Sequence, residues 1–392
     1  LTRPLGVGEK APVMLRRVRE WWGDLAIVWL NACILFVVVN VVLAWIHPDA
    51  PKRPELGPRR ATMAAAMPEL DDEALDTLVA ETKRTLAYAP YTDMGDSPVT
   101  GRFVNIDPAG FRRSKDQGPW PPDPQNLNVF VFGGSTTFGY GVGDDHTVPS
   151  HLQPLLPETG GRPARVYNFG HSGFYSTQER ILFERLVVAG HVPDVAIFID
   201  GLNDFAAIRD EPMTALRLAY AFRSMDDGPL WTALRAIPLT TTVLHVGRLL
   251  GLTSPIVVDE PPTAPAYDDV AYLQSVFDRY RRSKRMIEAM GAAYGIRTVF
   301  VWQPVPTYKF PPGDAGKWVR IGGPGWALHG YPLVAKTIAE QPIDGEFIWC
   351  ADVATDGTER FYVDAVHYAP VLAERVARCI ADGMLARRVV VK

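Results

Sequence analysis

Hydrophobic and polar positions divide the chain into one long apolar block and a series of short ones. Residues 25–46, LAIVWLNACILFVVVNVVLAWI, carry no formal charge. At about 1.5 Å per residue such a run reaches across a hydrocarbon core of about 30 Å, so it predicts one transmembrane helix. Trp21, Trp22, Trp29 and Trp45 gather towards its ends, as amphipathic rings do at a lipid–water boundary. Asn31 and Asn40 interrupt the run, and each reads either as a partner for a neighbouring helix or as an isolated tolerated amide. The run exceeds a signal-peptide core and no A-x-A site follows it, so an uncleaved anchor is expected.

The short blocks alternate in type. NLNVFVFGG, ARVYNFG and DVAIFIDG are continuous apolar runs that end abruptly in Gly-containing polar turns, and GIRTVFVWQP is a fourth. Between and after them lie the helical patterns HTVPSHLQPLL, STQERILFERLVVAG, DVAYLQSVFDRYRRSKRMIEAMGAAY and APVLAERVARCIADGMLA. Strands that are apolar on both faces, separated by amphipathic helices, predict a mostly parallel sheet covered by helices, with functional residues on loops beyond the C-terminal strand ends.

The remaining segments fill in the organisation. Residues 1–24 form a basic leader, 47–125 a linker and lead-in to the folded body, and 126–386 the main domain. Within the linker, the Pro- and charge-rich stretch from His47 to about Pro68 predicts an extended spacer. MPELDDEALDTLVAETKRTLAYAP places acids early and bases late, the polarity a helix dipole favours, and predicts a helix over 70–87. Residues 206–268 break the alternation with Pro-punctuated apolar segments. They read as a helical insertion, either a cap over an active site or a surface that meets lipid or a partner.

Charge and cysteine content narrow the function classes. With 40 Lys+Arg against 44 Asp+Glu, the net charge of -4 leaves no basic footprint, so nucleic acid is not an expected partner. Arg3, Lys10, Arg16, Arg17 and Arg19 precede the apolar run, while Lys52, Arg53, Arg59 and Arg60 follow it. A short basic leader is expected to stay cytoplasmic, which places the large domain on the extracytoplasmic side of an inner membrane. The three cysteines, Cys33, Cys350 and Cys379, show no zinc-ligand spacing, and neither metal nor cofactor is expected. Cys350 and Cys379 form a disulfide in an oxidising compartment or remain two unrelated buried thiols.

Candidate chemistry sits at the ends of the apolar runs. In VFVFGGSTTFGYGV, Ser135 follows a strand in a Gly-rich turn that lets backbone amides approach a reacting group. In FYVDAVHYAP, Asp364 and His367 are spaced for a carboxylate to orient an imidazole, and a serine nucleophile needs such an oriented base. NFGHSGFYST supplies Gly173, an unobstructed amide, and IDGLNDF supplies Asn203, a side-chain donor. With the Ser135 amide they make a candidate oxyanion hole.

Taken in order, GGST, HSG, GLND and DxxH resemble the four blocks of the SGNH/GDSL hydrolase superfamily over about 126–386. The upstream VNIDPAGFR and downstream VFVWQPVP resemble segments of bacterial members with N-terminal anchors. The resemblance implies a flavodoxin-like three-layer α/β/α sandwich, Ser135 as nucleophile, His367 with Asp364 as its base pair, and Gly173 and Asn203 as oxyanion donors. It implies a serine esterase or acyl-transfer enzyme acting through an acyl-enzyme on O-acyl esters, such as acetylated cell-surface glycans or lipids. A non-catalytic SGNH-like subunit of a membrane complex, held through the transmembrane helix or the insertion, is the alternative. The chain departs from the pattern at Gly134, where many members carry Asp.

Rival motifs fail on spacing. Phe174 stands where a G-x-S-x-G elbow around Ser172 needs Gly, and the Gly139, Gly141, Gly143 series is not a nucleotide-binding loop. Asp144, Asp145 and His146 read as capping and solvation before a helix rather than as metal ligands.

Overall fold

The computed structural model describes residues 11–46, 60–82, 86–208, 210–211, 237–249, 264–309, 323–355 and 360–390. They divide into two compact units. One comprises residues 1–55 with 217–261, and the other residues 56–216 with 262–392.

In the first unit the apolar block lies in a single 36-residue helix, Ala11–Ile46, which therefore extends into the basic leader. Its stretch Arg19–Leu43 has a mean hydropathy of 2.6, and by length and composition it can cross a membrane. Residues of the insertion contribute the helix Pro238–Leu249, whose Leu239 N–H donates to Asn40 Oδ1 at 2.9 Å. The remainder of the insertion, including TALRLAYAFRSM, lies outside the described residues.

The second unit is a three-layer sandwich. A two-stranded ribbon pairs β1, Leu86–Ala87, with β2, Gly95–Asp96. The main sheet contains β3 (Leu127–Gly133), β4 (Ala164–Gly170), β5 (Val195–Asp200), β6 (Arg297–Trp302) and β7 (Phe347–Trp349) in the order β4-β3-β5-β6-β7, every pair parallel. This is the doubly wound order in which the chain reverses direction across the sheet beside its first strand.

Period-2 geometry sorts the apolar runs onto two chemically different faces. Phe132, Phe169, Phe198 and Phe300 project to one side and form a stacked row, with Phe132 and Phe198 centroids 4.8 Å apart at 9°. Helices Ser176–Val188, Val270–Tyr294 and Gly323–Glu340 cover that aromatic face. Val129, Val131, Val166, Ile197, Ile199, Val299 and Val301 form the aliphatic face, covered by Val148–Leu152 and Pro370–Ala386. A bond between Cys350, just past β7, and Cys379, on Pro370–Ala386, fastens that helix to the sheet edge.

Several expectations change. The helix expected over 70–87 spans Asp72–Thr82, because Leu86 and Ala87 continue its apolar pattern only as far as pairing with Asp96 and Gly95. The spacer expected up to residue 68 does not reach that far. Arg60–Ala66 is helical, and Met63 and Met67 are buried against Leu75, Leu78, Val104, Ile106 and Phe138. Residues 47–59 lie outside the described residues. Neither β7 nor Gly323–Glu340 was expected.

Candidate active site

Three neighbouring strands deliver three loops to one place. Register pairs Gly133 of β3 with Gly170 of β4 on one side and with Ile199 of β5 on the other. The chain leaving each strand therefore emerges at the same level, and Ser135, Gly173 and Asn203 follow those ends by a few residues.

Ser135 opens a one-turn helix, Ser135–Phe138, closed by Gly139 in the left-handed region. The first amides of a helix have no intrahelical acceptor, and no hydrogen bond among the described residues occupies the Ser135 N–H. Gly173 has φ +79°, a conformation that a side chain disfavours, and its N–H is likewise without an acceptor among the described residues. Asn203 Nδ2 donates to the Phe174 carbonyl at 2.6 Å, which fixes the amide plane and leaves its second hydrogen available. A Cβ on residue 134 would overlap Asn203 Nδ2, so the glycine found in place of Asp is the residue that admits this amide beside Ser135.

Behind Asn203, Asp204 is completely buried and secures the loop. It accepts from Ser176 Oγ at 2.6 Å and from Gly201 N–H at 3.3 Å.

From the far end of the chain, a tight turn brings up the imidazole. Val363 N–H donates to the His367 carbonyl and Ala369 N–H to the Phe361 carbonyl, at 2.9 and 2.8 Å. His367 Nε2 stands 2.8 Å from Ser135 Oγ across 232 residues of sequence, and its Nδ1 stands 2.7 Å from Asp364 Oδ2. The other carboxylate oxygen of Asp364 accepts from the amides of His367 and Val366, at 2.8 and 2.9 Å. Burial by itself would raise the Asp364 pKa, but the adjacent imidazole and these hydrogen bonds outweigh it and hold the carboxyl below the usual carboxylate range. All five expected site residues thus lie in one cluster, and the direction of the chain hydroxyl, imidazole, carboxylate suits transfer of a proton from Oγ to Nε2.

The structure adds residues the sequence did not single out. The Tyr140 ring lies over His367 with centroids 4.7 Å apart. Burial, and then the charges of Asp364 and Asp96, raise the Tyr140 pKa, so its phenol stays neutral. His171 places Nδ1 3.1 Å from Asp96 Oδ2, and the same oxygen accepts from Ser172 N–H at 3.1 Å. The tripeptide Gly95-Asp96-Ser97 spells GDS, yet its Asp braces the loop before Gly173 and its Ser is not the one facing the imidazole.

Asp144 corrects the reading of 144–146 as capping and solvation. Its carboxylate binds Asn105 and the fully buried Arg112, and Arg112 in turn donates to the carbonyls of Phe138, Gly139 and Val142. The arginine of VNIDPAGFR thereby clamps the loop that follows Ser135. Nothing local in the sequence shows that a cation so far upstream serves this loop.

A family model described as GDSL-like lipase/acylhydrolase matches residues 131–329, just over half of the chain. The match takes in Ser135, Gly173 and Asn203 and stops before Asp364 and His367. Among solved structures, a lipolytic protein of the G-D-S-L family from Desulfitobacterium hafniense aligns over 66% of this chain and 99% of its own, at 13% identity and a TM-score of 0.36. An acetylxylan esterase from Geobacillus stearothermophilus aligns over 66% and 94%, at 12% identity and a TM-score of 0.37. A lipolytic G-D-S-L family member from Veillonella parvula aligns over 67% and 98%, at 12% identity and a TM-score of 0.35. No curated protein matches the sequence.

Proposed function

Because the chain belongs to the GDSL-like lipase/acylhydrolase family, whose chemistry is ester hydrolysis, we propose that it is a membrane-anchored serine ester hydrolase working through an acyl-enzyme on Ser135. The observation that carries this reading is the continuous path from Ser135 Oγ to His367 Nε2 at 2.8 Å and from His367 Nδ1 to Asp364 at 2.7 Å.

In this mechanism Ser135 Oγ attacks the ester carbonyl as its proton passes to His367 Nε2. Asp364 keeps the Nδ1 proton in place and stabilises the imidazolium. The oxyanion is met by the amides of Ser135 and Gly173 and by the free hydrogen of Asn203 Nδ2, donors already fixed before substrate arrives. As the tetrahedral intermediate collapses, the alcohol leaves with the proton from His367, and the acyl group remains on Ser135. Water activated by His367 then releases the acid. An alcohol in place of water makes the same site an O-acyltransferase.

The proposed substrates are O-acyl esters on a cell-surface glycan or a lipid. Two features support an anchored, extracytoplasmic domain. The helix Ala11–Ile46 is long and apolar enough to span a bilayer, and the Cys350–Cys379 disulfide fits an oxidising compartment.

Fluorophosphonate labelling of the full chain in detergent tests the reading. Labelling of the wild type and none of Ser135→Ala is expected. A folded wild type that takes no label overturns the enzyme reading and leaves the non-catalytic subunit. Acyl-donor profiling with and without an added sugar alcohol then separates release of acid from transfer.

A further inference from the structure

Asn40 is one of the two amide residues in the apolar run, and Leu239 carries a backbone N–H at the start of a helix. The two meet at 2.9 Å, Leu239 N–H donating to Asn40 Oδ1. Each would be a defect alone. The helix Pro238–Leu249 cannot cap itself, because the preceding residue is Ile237, which has no side-chain acceptor. Pro238 has no N–H to satisfy, so Leu239 supplies the first orphan donor of that helix. A Ser, Thr, Asp or Asn at the N-cap would ordinarily accept from this position, and here a side chain from another helix does so. Asn40 Nδ2 in turn donates to the Phe36 carbonyl at 2.8 Å, which orients the amide. Hydrocarbon offers no water to an unmet backbone donor, so such a match is needed inside a membrane far more than in water.

The position of Asn40 sets the depth. It lies six residues before the helix end at Ile46, about 9 Å along the axis at about 1.5 Å per residue. Pro238–Leu249 has 12 residues and is thus about 18 Å long, too short to cross a core of about 30 Å. Its sequence, PLTTTVLHVGRL, contains no carboxylate and is strongly amphipathic, and Val243 and Val246 are exposed at 61% and 45%. The hydroxyl of Thr242 folds back onto the Pro238 carbonyl at 2.9 Å, which covers another polar group within the helix. A short, acid-free amphipathic helix with bare valines, capped from within an apolar span, has the properties of an interfacial membrane helix.

We infer that the helix Pro238–Leu249 is a second membrane-embedded element, lying in the headgroup–acyl boundary of a phospholipid bilayer and docked on the anchor through Asn40. This rests on the proposed span at 25–46, and it assigns lipid, rather than another protein, as the occupant of the exposed valine face. It also ties the insertion that follows the Asn203 loop to the membrane, which favours ester substrates presented at a lipid surface.

The test uses the full chain in phospholipid vesicles, with single cysteines in a Cys33→Ala background and no reductant, so that the Cys350–Cys379 disulfide stays closed. Nitroxide is attached at Val243→Cys and Val246→Cys, at Val37→Cys in the anchor and at Val188→Cys on the exposed surface of the hydrolase unit. Collision with oxygen relative to a water-soluble nickel complex is expected to be several-fold higher at 37, 243 and 246 than at 188. A shielded 37 with 243 and 246 as wet as 188 overturns the inference and leaves the anchor standing. A wet 37 overturns both. Adding Asn40→Leu is expected to move 243 and 246 towards the value at 188, with fluorophosphonate labelling retained as the check on folding. Unchanged readings in that variant overturn the docking role of Asn40.

Discussion

Arg112 Nε lies 2.8 Å from Asp144 Oδ1, and the same guanidinium holds the Phe138, Gly139 and Val142 carbonyls immediately after the Ser135 helix. Arg112 is 1% exposed and Asp144 15%, so this is a charge pair largely out of water. Removing Arg112 leaves the Asp144 charge without its cation and takes one donor from each of three carbonyls, and breaking a buried charge pair typically costs about 3–5 kcal/mol. Arg112→Met is therefore expected to lower the thermal midpoint of the full chain in detergent and to slow fluorophosphonate labelling. Arg112→Lys is expected to recover only part of both, because an ammonium cannot reproduce the planar fork. Equal behaviour of Lys and Arg at this position would remove the geometric argument.

The Asp364 carboxylate is expected to matter for rate more than for binding. Asp364→Asn keeps the shape but no longer holds the Nδ1 proton or balances an imidazolium, and kcat should fall by about 10³–10⁴-fold with little change in KM. The pH dependence has a definite sign. The folded pKa of Asp364 is depressed, so its contribution to stability is fully present above the unfolded carboxylate value of about 4 and is lost as pH falls from there through the lower folded value. A comparison of thermal midpoints between wild type and Asp364→Asn from pH 7 down to pH 3 should show the gap narrowing at the acid end.

For Asn203 the expected signature is a loss confined to the transition state. Asn203→Ala should reduce kcat by about 10²–10³-fold, the usual loss for one oxyanion donor. Gly134 provides an independent handle on the same amide, because a Cβ there would overlap Asn203 Nδ2. Gly134→Ala should lower kcat by no more than Asn203→Ala does. In the double variant the two losses should fail to add, since both act through one hydrogen-bond donor. Additive losses would show that the Gly134 substitution acts elsewhere.

Much of this architecture could be read in the sequence because parallel strands buried on both faces leave uninterrupted apolar runs, as in NVFVFG and VAIFID. The site residues were legible for a related reason: each sits just beyond such a run or in a compact DxxH turn. What escaped is what depends on distant partners. The three residues Phe347–Trp349 make a strand only because β6 offers them an edge, and Gly323–Glu340 carries Gly and an internal Pro332 that blur its period. Asp144 looks locally like a helix-start residue, and only folding brings Arg112 to it. Tyr140 over His367 and Asp96 beside His171 are likewise products of packing, and the GDS at 95–97 would mislead a search that relied on letters alone.

The last prediction concerns three carboxyl groups buried beneath the Asn203 loop. Glu179, Asp200 and Asp204 are 1%, 3% and 0% exposed. Asp204 has donors in Ser176 and Gly201, but neither Glu179 oxygen nor Asp200 Oδ1 has a donor among the described residues. Glu179 and Asp200 lie within hydrogen-bonding reach of one another, and two carboxyl groups can share a hydrogen bond only if one keeps its proton. Burial above all, and then the neighbouring carboxylates, raise the pKa of both groups well above the usual range. A raised folded pKa gives a stability contribution that is present in full below the unfolded value of about 4 and is lost as pH rises through the folded value. Stability of the hydrolase unit should therefore decline as pH rises above about 4. Glu179→Gln supplies a permanent donor of the same shape, so Asp200 can ionise without an unmet partner. Its thermal midpoint should lie nearest to wild type at about pH 4 and exceed it increasingly as pH rises from there, by roughly 2–4 °C for each kcal/mol recovered. A Glu179→Gln midpoint that runs parallel to wild type across that range would show that no proton is held between the two groups.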